Sequence, residues 1–324
     1  MPLTDEQTAQ AARLMTTMRD EIAKAVIGQN EVIEQALIAL AAGGHVLIEG
    51  VPGLGKTLLV CAIAKTFDGA FGRIQFTPDL MPSDVTGHSV YDPSSGQFST
   101  RKGPVFTNLL LADEINRAPA KTQAALLEVM QEAQVTIEGV AHPITQPFMV
   151  LATQNPVEQE GTYPLPEAQL DRFLLKIKIG YPNQADEVNM LRSVTTGKTG
   201  DKLAVDAVQT LLKPNTVQTL RQMSALVDVG DQVLDYAVRI VRKTREFAGI
   251  SSGAGSRGGL ALVRAARALA LMAGRNYVTP DDIKLVAPAC LRHRIRPAPE
   301  LEIEGRDADS LIAALLEQVA APRQ

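Results

Sequence analysis

One run of this sequence has the residue types and spacing of a loop that binds polyphosphate. The pattern G-x-x-x-x-G-K-[ST] is met by Gly50, Val51, Pro52, Gly53, Leu54, Gly55, Lys56 and Thr57. Glycines let backbone N–H groups converge on a phosphate at a helix N-terminus, where the helix dipole favours anions. Lys56 would place its charge on the outer phosphates, and Thr57 would offer its hydroxyl to Mg²⁺. The run therefore predicts a nucleotide site with Mg²⁺.

Two carboxylates follow an apolar run further along the chain. The segment 108–112 is followed directly by Asp113 and Glu114. Such a strand end places Asp113 beside the loop threonine, where it can hold Mg²⁺, and Glu114 where it can orient and deprotonate a water. Two acids after a strand are most often a solvated loop, but downstream of a phosphate-binding loop the functional interpretation is favoured. Glu114 favours turnover over binding alone, because a nucleotide switch can work without a committed base.

Two further polar residues flank predicted strands. Asn155 follows the run 149–151, and its amide could reach the attacking water or the γ-phosphate; an Asn-Pro turn is the alternative. Arg172 stands immediately before the run 174–177. It could be a surface charge, a salt-bridge partner, or a group donated to a neighbouring subunit's phosphate.

The elements that must position these residues are short apolar runs separated by helical segments. The runs are 46–48, 74–76, 109–111, 149–151 and 174–177. Strands buried on both faces read this way, so an α/β fold is predicted, with a mostly parallel five-stranded sheet between helices. Residues 134–144 alternate and turn at a glycine, which predicts an antiparallel hairpin. Apolar positions that recur at helical spacing predict two helices in the first 40 residues.

Beyond residue 182 strand signals vanish and the chain reads as helices. Helices are predicted at about 231–247 and 259–273, and a third opens at Thr279, where a Pro and an acid follow the capping residue. We expect a nucleotide-binding domain over residues 1–182 and a smaller all-α domain over residues 183–324. A loop is predicted from Thr195 to Asp201.

Composition excludes several classes of protein. With 324 residues, of which 45% are apolar and 21% charged, the chain is neither a disulfide-stapled miniprotein nor a disordered tail. The net charge of −4 gives no overall attraction to nucleic acid. No apolar run approaches the length of a membrane span and the start lacks a signal-peptide pattern, so we expect a cytoplasmic protein. Cys61 and Cys290 are expected to be buried thiols, and the histidines lack metal-ligand spacing.

The chain resembles the MoxR family of AAA+ ATPases, which is related to the magnesium chelatase ATPase subunits. The stretches that carry the resemblance are 50–57, 111–119 (LADEINRAP), 152–161 (ATQNPVEQEG), 165–173 (LPEAQLDRF), 253–257 (GAGSR), 262–268 (LVRAARA) and 274–282 (GRNYVTPDD). The resemblance implies a P-loop AAA+ core with an all-α lid domain. It also implies Mg²⁺-dependent hydrolysis of ATP.

Particular residues acquire roles through the resemblance. Asn155 is implied to be the sensor-1 amide and Arg172 an arginine finger that acts in trans. Arg257 is implied to be the sensor-2 arginine, which reports the nucleotide state to the lid. The family usually has Ser where Gly255 stands here.

The family also carries an insertion in the second helix and a hairpin before sensor 1. Residues 87–101 suit the insertion, and residues 134–144 suit the hairpin. Ile27 and Gly28, at a break between two predicted helices, are included among the candidate cofactor-binding residues.

A finger that acts in trans implies a ring, and for this family a homo-hexamer. The function implied by the resemblance is a chaperone-like remodeller that matures or activates a client protein, sometimes by inserting a metal or cofactor. A partner with a von Willebrand factor A domain would act in trans.

Two other functions compete with this interpretation. One is a nucleic-acid motor, for which the candidate contacts are Arg239, Arg242, Lys243, Arg245, Arg292, Arg294 and Arg296. Arginines spaced along a helix are more often a solvated face, and the chain has few aromatic residues to stack on bases. The other is a nucleotide-gated scaffold with negligible turnover, against which Glu114 argues.

Overall fold

The computed structural model of the chain describes residues 3–51, 53–94, 96–155, 162–195 and 205–322. Its strands are β1 (Val46–Glu49), β2 (Phe71–Gln75), β3 (Gly87–Asp92), β4 (Gln97–Lys102), β5 (Leu109–Asp113), β6 (Gln134–Ile137), β7 (Val140–Pro143), β8 (Met149–Gln154), β9 (Leu175–Lys178), β10 (Ile250–Ser252) and β11 (Arg296–Pro297). Its helices are α1 (Asp5–Ala23), α2 (Asn30–Ala41), α3 (Lys56–Thr66), α4 (Pro82–Thr86), α5 (Ala120–Glu132), α6 (Glu167–Leu170), α7 (Gln184–Thr195), α8 (Pro214–Leu226), α9 (Asp231–Thr244), α10 (Ser256–Met272), α11 (Pro280–Leu291), α12 (Pro299–Ile303) and α13 (Ala308–Gln318). Of the loop predicted from Thr195 to Asp201, only Thr195 lies within the described residues, where it ends α7.

The central sheet has five strands in the order β2-β5-β8-β1-β9, and all neighbouring pairs are parallel. This confirms the predicted α/β fold. The carboxyl ends of parallel strands lie along one edge of a sheet, where open α/β sheets bind ligands. The segments that follow β1, β5 and β8 therefore meet at that edge.

Successive residues of the central strands enter two different apolar cores. Val46 and Ile48 pack into a larger core, which also contains residues of α1–α3 and of the helices after β9. Leu47, between them, packs into a smaller core with residues of α5 and β6. Burial on both faces explains why these strands read as continuous apolar runs rather than as alternating ones.

Two antiparallel hairpins project from the sheet domain. The predicted hairpin is confirmed as β6–β7, and its turn residues Glu138 and Gly139 have φ values of +48° and +78°, the left-handed region that two-residue hairpin turns require. The second hairpin, β3–β4, occupies the segment 87–101 that the resemblance assigns to the insertion. Tyr91 and Phe98 face each other across it with ring centroids 5.2 Å apart, and both are exposed.

The described part of the chain beyond β9 is mainly helical. α11 begins as predicted, because the Thr279 hydroxyl and the Asp282 carboxylate cap each other's backbone N–H groups. The structure adds one feature that the sequence did not predict, the short antiparallel pair β10–β11. Strands of three and two residues are too short to show a periodic pattern. The boundary near residue 182 stays a prediction.

The remaining composition-based expectations concern the membrane and the cysteines. Over the described ranges, no helix is both long and apolar enough to cross a membrane. Both cysteines are free; Cys290 is buried as expected, whereas Cys61 is only partly buried.

Candidate active site

The loop between β1 and α3 has the backbone that a phosphate-binding loop needs. Gly53 and Gly55 have φ values of +86° and +77°, and Gly55 is the residue that precedes the first turn of α3. A Cβ built at either position meets no atom within 4 Å, so the space over the loop is open. Positive φ is accessible to glycine at little cost, and it turns N–H groups toward that space. Pro52 lies outside the described residues.

The Lys56 side chain is held over this loop by a backbone carbonyl of the loop itself. Its Nζ donates a hydrogen bond to the carbonyl oxygen of Gly50 at 2.7 Å. Burial lowers the pKa of the Lys56 ammonium, and the nearby Asp113 and Glu114 carboxylates oppose that shift. The hydrogen-bond partner of this cation is thus a neutral carbonyl, which a phosphate oxygen can replace at a gain in charge pairing.

A threonine contacts both acidic residues at the end of β5, one through its carboxylate and the other through its backbone. The hydroxyl of Thr153, on the neighbouring strand β8, donates to Asp113 Oδ1 at 2.6 Å and accepts from the backbone N–H of Glu114 at 2.9 Å. Glu114 has a φ of +55°, which a non-glycine residue adopts at a cost of about 1–2 kcal/mol. Strain of this kind persists where the surroundings fix the backbone, and it is concentrated at functional sites.

The Glu114 carboxylate is held by two side chains that sequence reasoning missed as site residues. Its Oε2 accepts from Gln75 Nε2 at 2.9 Å and from Arg117 Nη1 at 2.8 Å. Arg73 on the same strand as Gln75 pairs with Asp113, with Nη2 2.8 Å from Oδ2. The sequence signal for Arg73 and Gln75 was their spacing, because residues two apart on a strand point to the same side of the sheet.

These groups border a cavity of about 740 Å³, within the usual size range of ligand sites. The predicted site residues on its wall are Ile27, Gly53, Leu54, Gly55, Lys56, Thr57, Asp113, Glu114 and Asn155. The wall also contains the polar residues Gln29, Arg73, Gln75, Glu187 and Ser193 and the apolar groups Ala25, Val26, Leu58, Tyr181, Pro182 and Met190. The cavity thus joins a charged end, suited to phosphates and a metal, to apolar groups suited to a base.

Among the predicted cofactor-binding residues that the structure describes, three do not line the cavity. Gly50 acts through its carbonyl, as described, and Val51 follows it toward the loop. Gly28 lies against the segment after β9, because a Cβ there would come within 2.9 Å of Pro182 Cβ. Its contact with the cavity is therefore indirect, through a residue of the wall.

The donor set fits a nucleotide with a divalent cation. The glycine backbone leaves open space beside Lys56, and Thr57 and Asp113 supply the hydroxyl and carboxylate oxygens that Mg²⁺ prefers. The site is thus compatible with the predicted roles of these residues.

Arg172 and Arg257 lie together in a second cleft, of about 280 Å³. Arg172 Nη1 is 3.4 Å from the Leu127 carbonyl oxygen and contacts Gln131 Oε1, whereas its buried Nε has no hydrogen-bond partner within the described residues. Arg257 Nε is 3.9 Å from Asp171 Oδ2. No residue lines both this cleft and the nucleotide cavity. The structure therefore does not bring either arginine to the nucleotide cavity of its own chain.

Five of the seven basic residues considered as nucleic-acid contacts pair or hydrogen-bond within the chain. The side chains of Arg292 and Arg294 are only 9% and 4% exposed, and they pair with Asp309 and Asp171. Further internal contacts are Arg239 with Asp235, Arg245 with the Ala254 carbonyl, and Arg296 with Glu167. For Arg292 and Arg294, burial and pairing with carboxylates argue against a role as nucleic-acid contacts.

Comparison with known proteins identifies the family of the chain. The family model described as ATPase family associated with various cellular activities (AAA) matches residues 45–175, and the AAA lid domain model matches residues 242–315. The chain is 44% identical to the Bacillus subtilis protein YeaC over 94% of both chains. It is 43% identical to Chaperone MoxR1 of Mycobacterium tuberculosis, over 94% of this chain and 81% of that one.

The fold comparison leads to the same group of proteins. The crystal structure of a Cytophaga hutchinsonii protein matches with a TM-score of 0.90 and 44% identity, covering 98% of each chain. Magnesium-chelatase subunits are more distant relatives, at about 30% identity. A phosphate-binding loop, an Asp-Glu pair on the adjacent strand and this degree of likeness over nearly the whole chain place it in the MoxR family of AAA+ ATPases.

Proposed function

We propose that this ATPase works as a homo-hexameric ring that remodels a client protein, in the manner of a chaperone. The observation that carries the proposal is the separation of Arg172 and Arg257 from the nucleotide cavity of their own chain. Two arginines in one cleft, one with a buried Nε that lacks a partner within the described residues, form a site for an anion. We infer that this anion is the terminal phosphate of ATP on the neighbouring subunit.

Within one subunit, the residues of the cavity divide the work. Lys56 and the loop N–H groups bind the phosphates, and Thr57 and Asp113 would hold Mg²⁺. The metal, when bound, offsets the negative charge of the phosphates. Glu114 takes a proton from the attacking water, and Asn155 orients that water or the γ-phosphate. The Thr153 hydroxyl fixes the Asp113 carboxylate and the Glu114 backbone, while Gln75 and Arg117 hold the Glu114 carboxylate.

A subunit-mixing experiment tests the shared site. Arg172→Ala should lower ATP turnover on the order of 10³-fold, because a trans arginine stabilises charge that develops during phosphoryl transfer. Lys56→Ala should lose nucleotide binding yet keep its own Arg172. When the two inactive proteins are mixed, phosphate release should reappear, because Lys56→Ala subunits complete the sites of Arg172→Ala subunits. The matched control is Arg19→Ala, because Arg19 forms an exposed ion pair with Asp20 far from either cleft residue in sequence. This variant should retain full activity.

Two results would contradict the shared site. Full turnover per subunit at dilutions where light scattering shows only single chains would mean that one chain is sufficient. A mixture that stays inactive, while light scattering shows that mixed rings form, would mean that Arg172 does not act in trans.

We further propose a client and a partner with a von Willebrand factor A domain. The relative MoxR1 is named a chaperone, and the exposed Tyr91 and Phe98 on the β3–β4 hairpin offer an aromatic surface for a protein. Glu114→Gln should hold the ring in its ATP state, and a purified von Willebrand factor A domain protein should then co-sediment with it only when ATP is present. Equal co-sedimentation without nucleotide would argue against a functional pairing.

A further inference from the structure

Arg73 connects the two carboxylates of the active site. Its Nη2 is 2.8 Å from Asp113 Oδ2 and 3.1 Å from Gln75 Oε1. Gln75 in turn donates to Glu114. One guanidinium on the edge strand β2 therefore touches the predicted metal ligand directly and the predicted base through one amide.

The position of Arg73 on Asp113 is the one that a metal ion would need. Oδ1 of Asp113 accepts from Thr153, so Oδ2, which Arg73 occupies, is the oxygen without a neutral partner. Mg²⁺ binds a carboxylate oxygen at about 2.0–2.1 Å, and it would repel a guanidinium that lies 2.8 Å from the same oxygen.

The two partners of this ion pair differ in their freedom to move. The Asp113 side chain is 17% exposed and is fixed by Thr153, whereas the Arg73 side chain is 48% exposed. Arg73 lies near the edge of the sheet, because β2 has a strand neighbour on one side only. If one of the two must give way, it is the arginine.

We propose that Arg73 takes the place of the divalent cation on Asp113 and is displaced when the metal arrives with nucleotide. This inference rests on the proposed metal role of Thr57 and Asp113. Because Arg73 also donates to the Gln75 amide oxygen, displacement of Arg73 removes this restraint on Gln75 and weakens the hydrogen bond from Gln75 to the Glu114 carboxylate. Metal loading and release of the base are thereby joined through one side chain.

A metal-binding titration tests the inference without turnover. Mn²⁺ is titrated into the full-length protein with saturating ADP, and free Mn²⁺ is followed by electron paramagnetic resonance. Arg73→Ala should bind Mn²⁺ about fivefold more tightly than the wild type, which corresponds to the upper end of what a half-exposed ion pair contributes. Arg73→Lys, which keeps the charge, should lie closer to the wild type.

The matched control is Arg117→Ala. It removes the same charge from the neighbouring carboxylate, Glu114, without touching Asp113. Its Mn²⁺ affinity should stay within about twofold of the wild type. An equal rise in Arg73→Ala and Arg117→Ala would show a general effect of charge and overturn the inference.

Unchanged Mn²⁺ affinity in Arg73→Ala, with native circular dichroism, would also overturn the inference. Arg73→Gln provides a second neutral variant if the alanine protein does not fold. Asp113→Asn separates the inference from its premise: if this change leaves wild-type Mn²⁺ binding intact, the proposed metal site itself is wrong. If Asp113→Asn abolishes binding while Arg73→Ala has no effect, only the displacement is wrong.

Discussion

Replacement of Glu114 by glutamine is the sharpest test of the hydrolytic site. The change keeps an oxygen that can accept from Gln75 and Arg117, which lie 2.9 Å and 2.8 Å from Oε2. It removes a base, which costs about 10²–10⁴-fold in turnover, or about 3–5 kcal/mol in the barrier. The ion pair with Arg117 is partly exposed, so its loss changes the free energy of unfolding by at most about 1 kcal/mol.

The prediction is thus a large loss of rate with little loss of stability or binding. Phosphate release is measured at saturating ATP, nucleotide affinity with a fluorescent ADP analogue, and stability by thermal unfolding. Glu128→Gln makes the same chemical change on the exposed face of α5 and should leave all three unchanged. If Glu114→Gln turned over ATP within about threefold of the wild type, Glu114 would not be the base.

Three further predictions concern the loop, the lid and the hairpin. Gly55→Ala should lower the free energy of unfolding by about 1–2 kcal/mol and weaken ADP binding, because φ is +77° there; unchanged values in both assays would contradict this. Asp282 is nearly buried and accepts two hydrogen bonds from Arg275, so Asp282→Asn should cost about 2–3 kcal/mol at neutral pH. Burial raises the pKa of Asp282, but the hydrogen bonds from Arg275 and Thr279 lower it overall. The stabilisation by Asp282 is therefore present above about pH 4 and is lost as the pH falls further. A difference in the free energy of unfolding between wild type and Asp282→Asn that stays constant down to pH 2 would refute this prediction. The double change of Tyr91 and Phe98 to serine should leave basal phosphate release intact while abolishing its stimulation by a client, and retained stimulation would exclude the hairpin as the contact.

The sequence was most informative where burial leaves a continuous apolar run. The runs around Val46–Ile48 and Leu109–Leu111 were predicted correctly as strands because both of their faces are covered. The edge strand β2 was predicted at 74–76 but extends from Phe71 to Gln75, because its half-exposed residues give a weaker apolar signal. The order of the strands depends on contacts between distant segments, which no local pattern encodes.

The residues of the candidate site likewise fall into those that a local motif predicts and those that depend on contacts between distant segments. Lys56, Asp113 and Glu114 were predicted because a local motif carries them, and the structure brings them to one cavity. Arg73 and Gln75 were missed because their roles exist only once β2 lies beside β5. The motif could not show that Arg172 faces a different cleft, since that depends on how the chain after β9 packs.

The larger core has a consequence for how the molecule unfolds. Met15 and Ile33 from the first two helices belong to one continuous apolar cluster with Leu262 and Ile283, far beyond the predicted boundary near residue 182. Separation of the helical part would expose this cluster to water, so unfolding of one part removes apolar contacts that stabilise the other. We therefore expect the sheet part and the helical part to unfold together in a single cooperative transition. Any shift of the lid during the ATP cycle must then be a small sliding along an apolar contact rather than a swing about a free hinge.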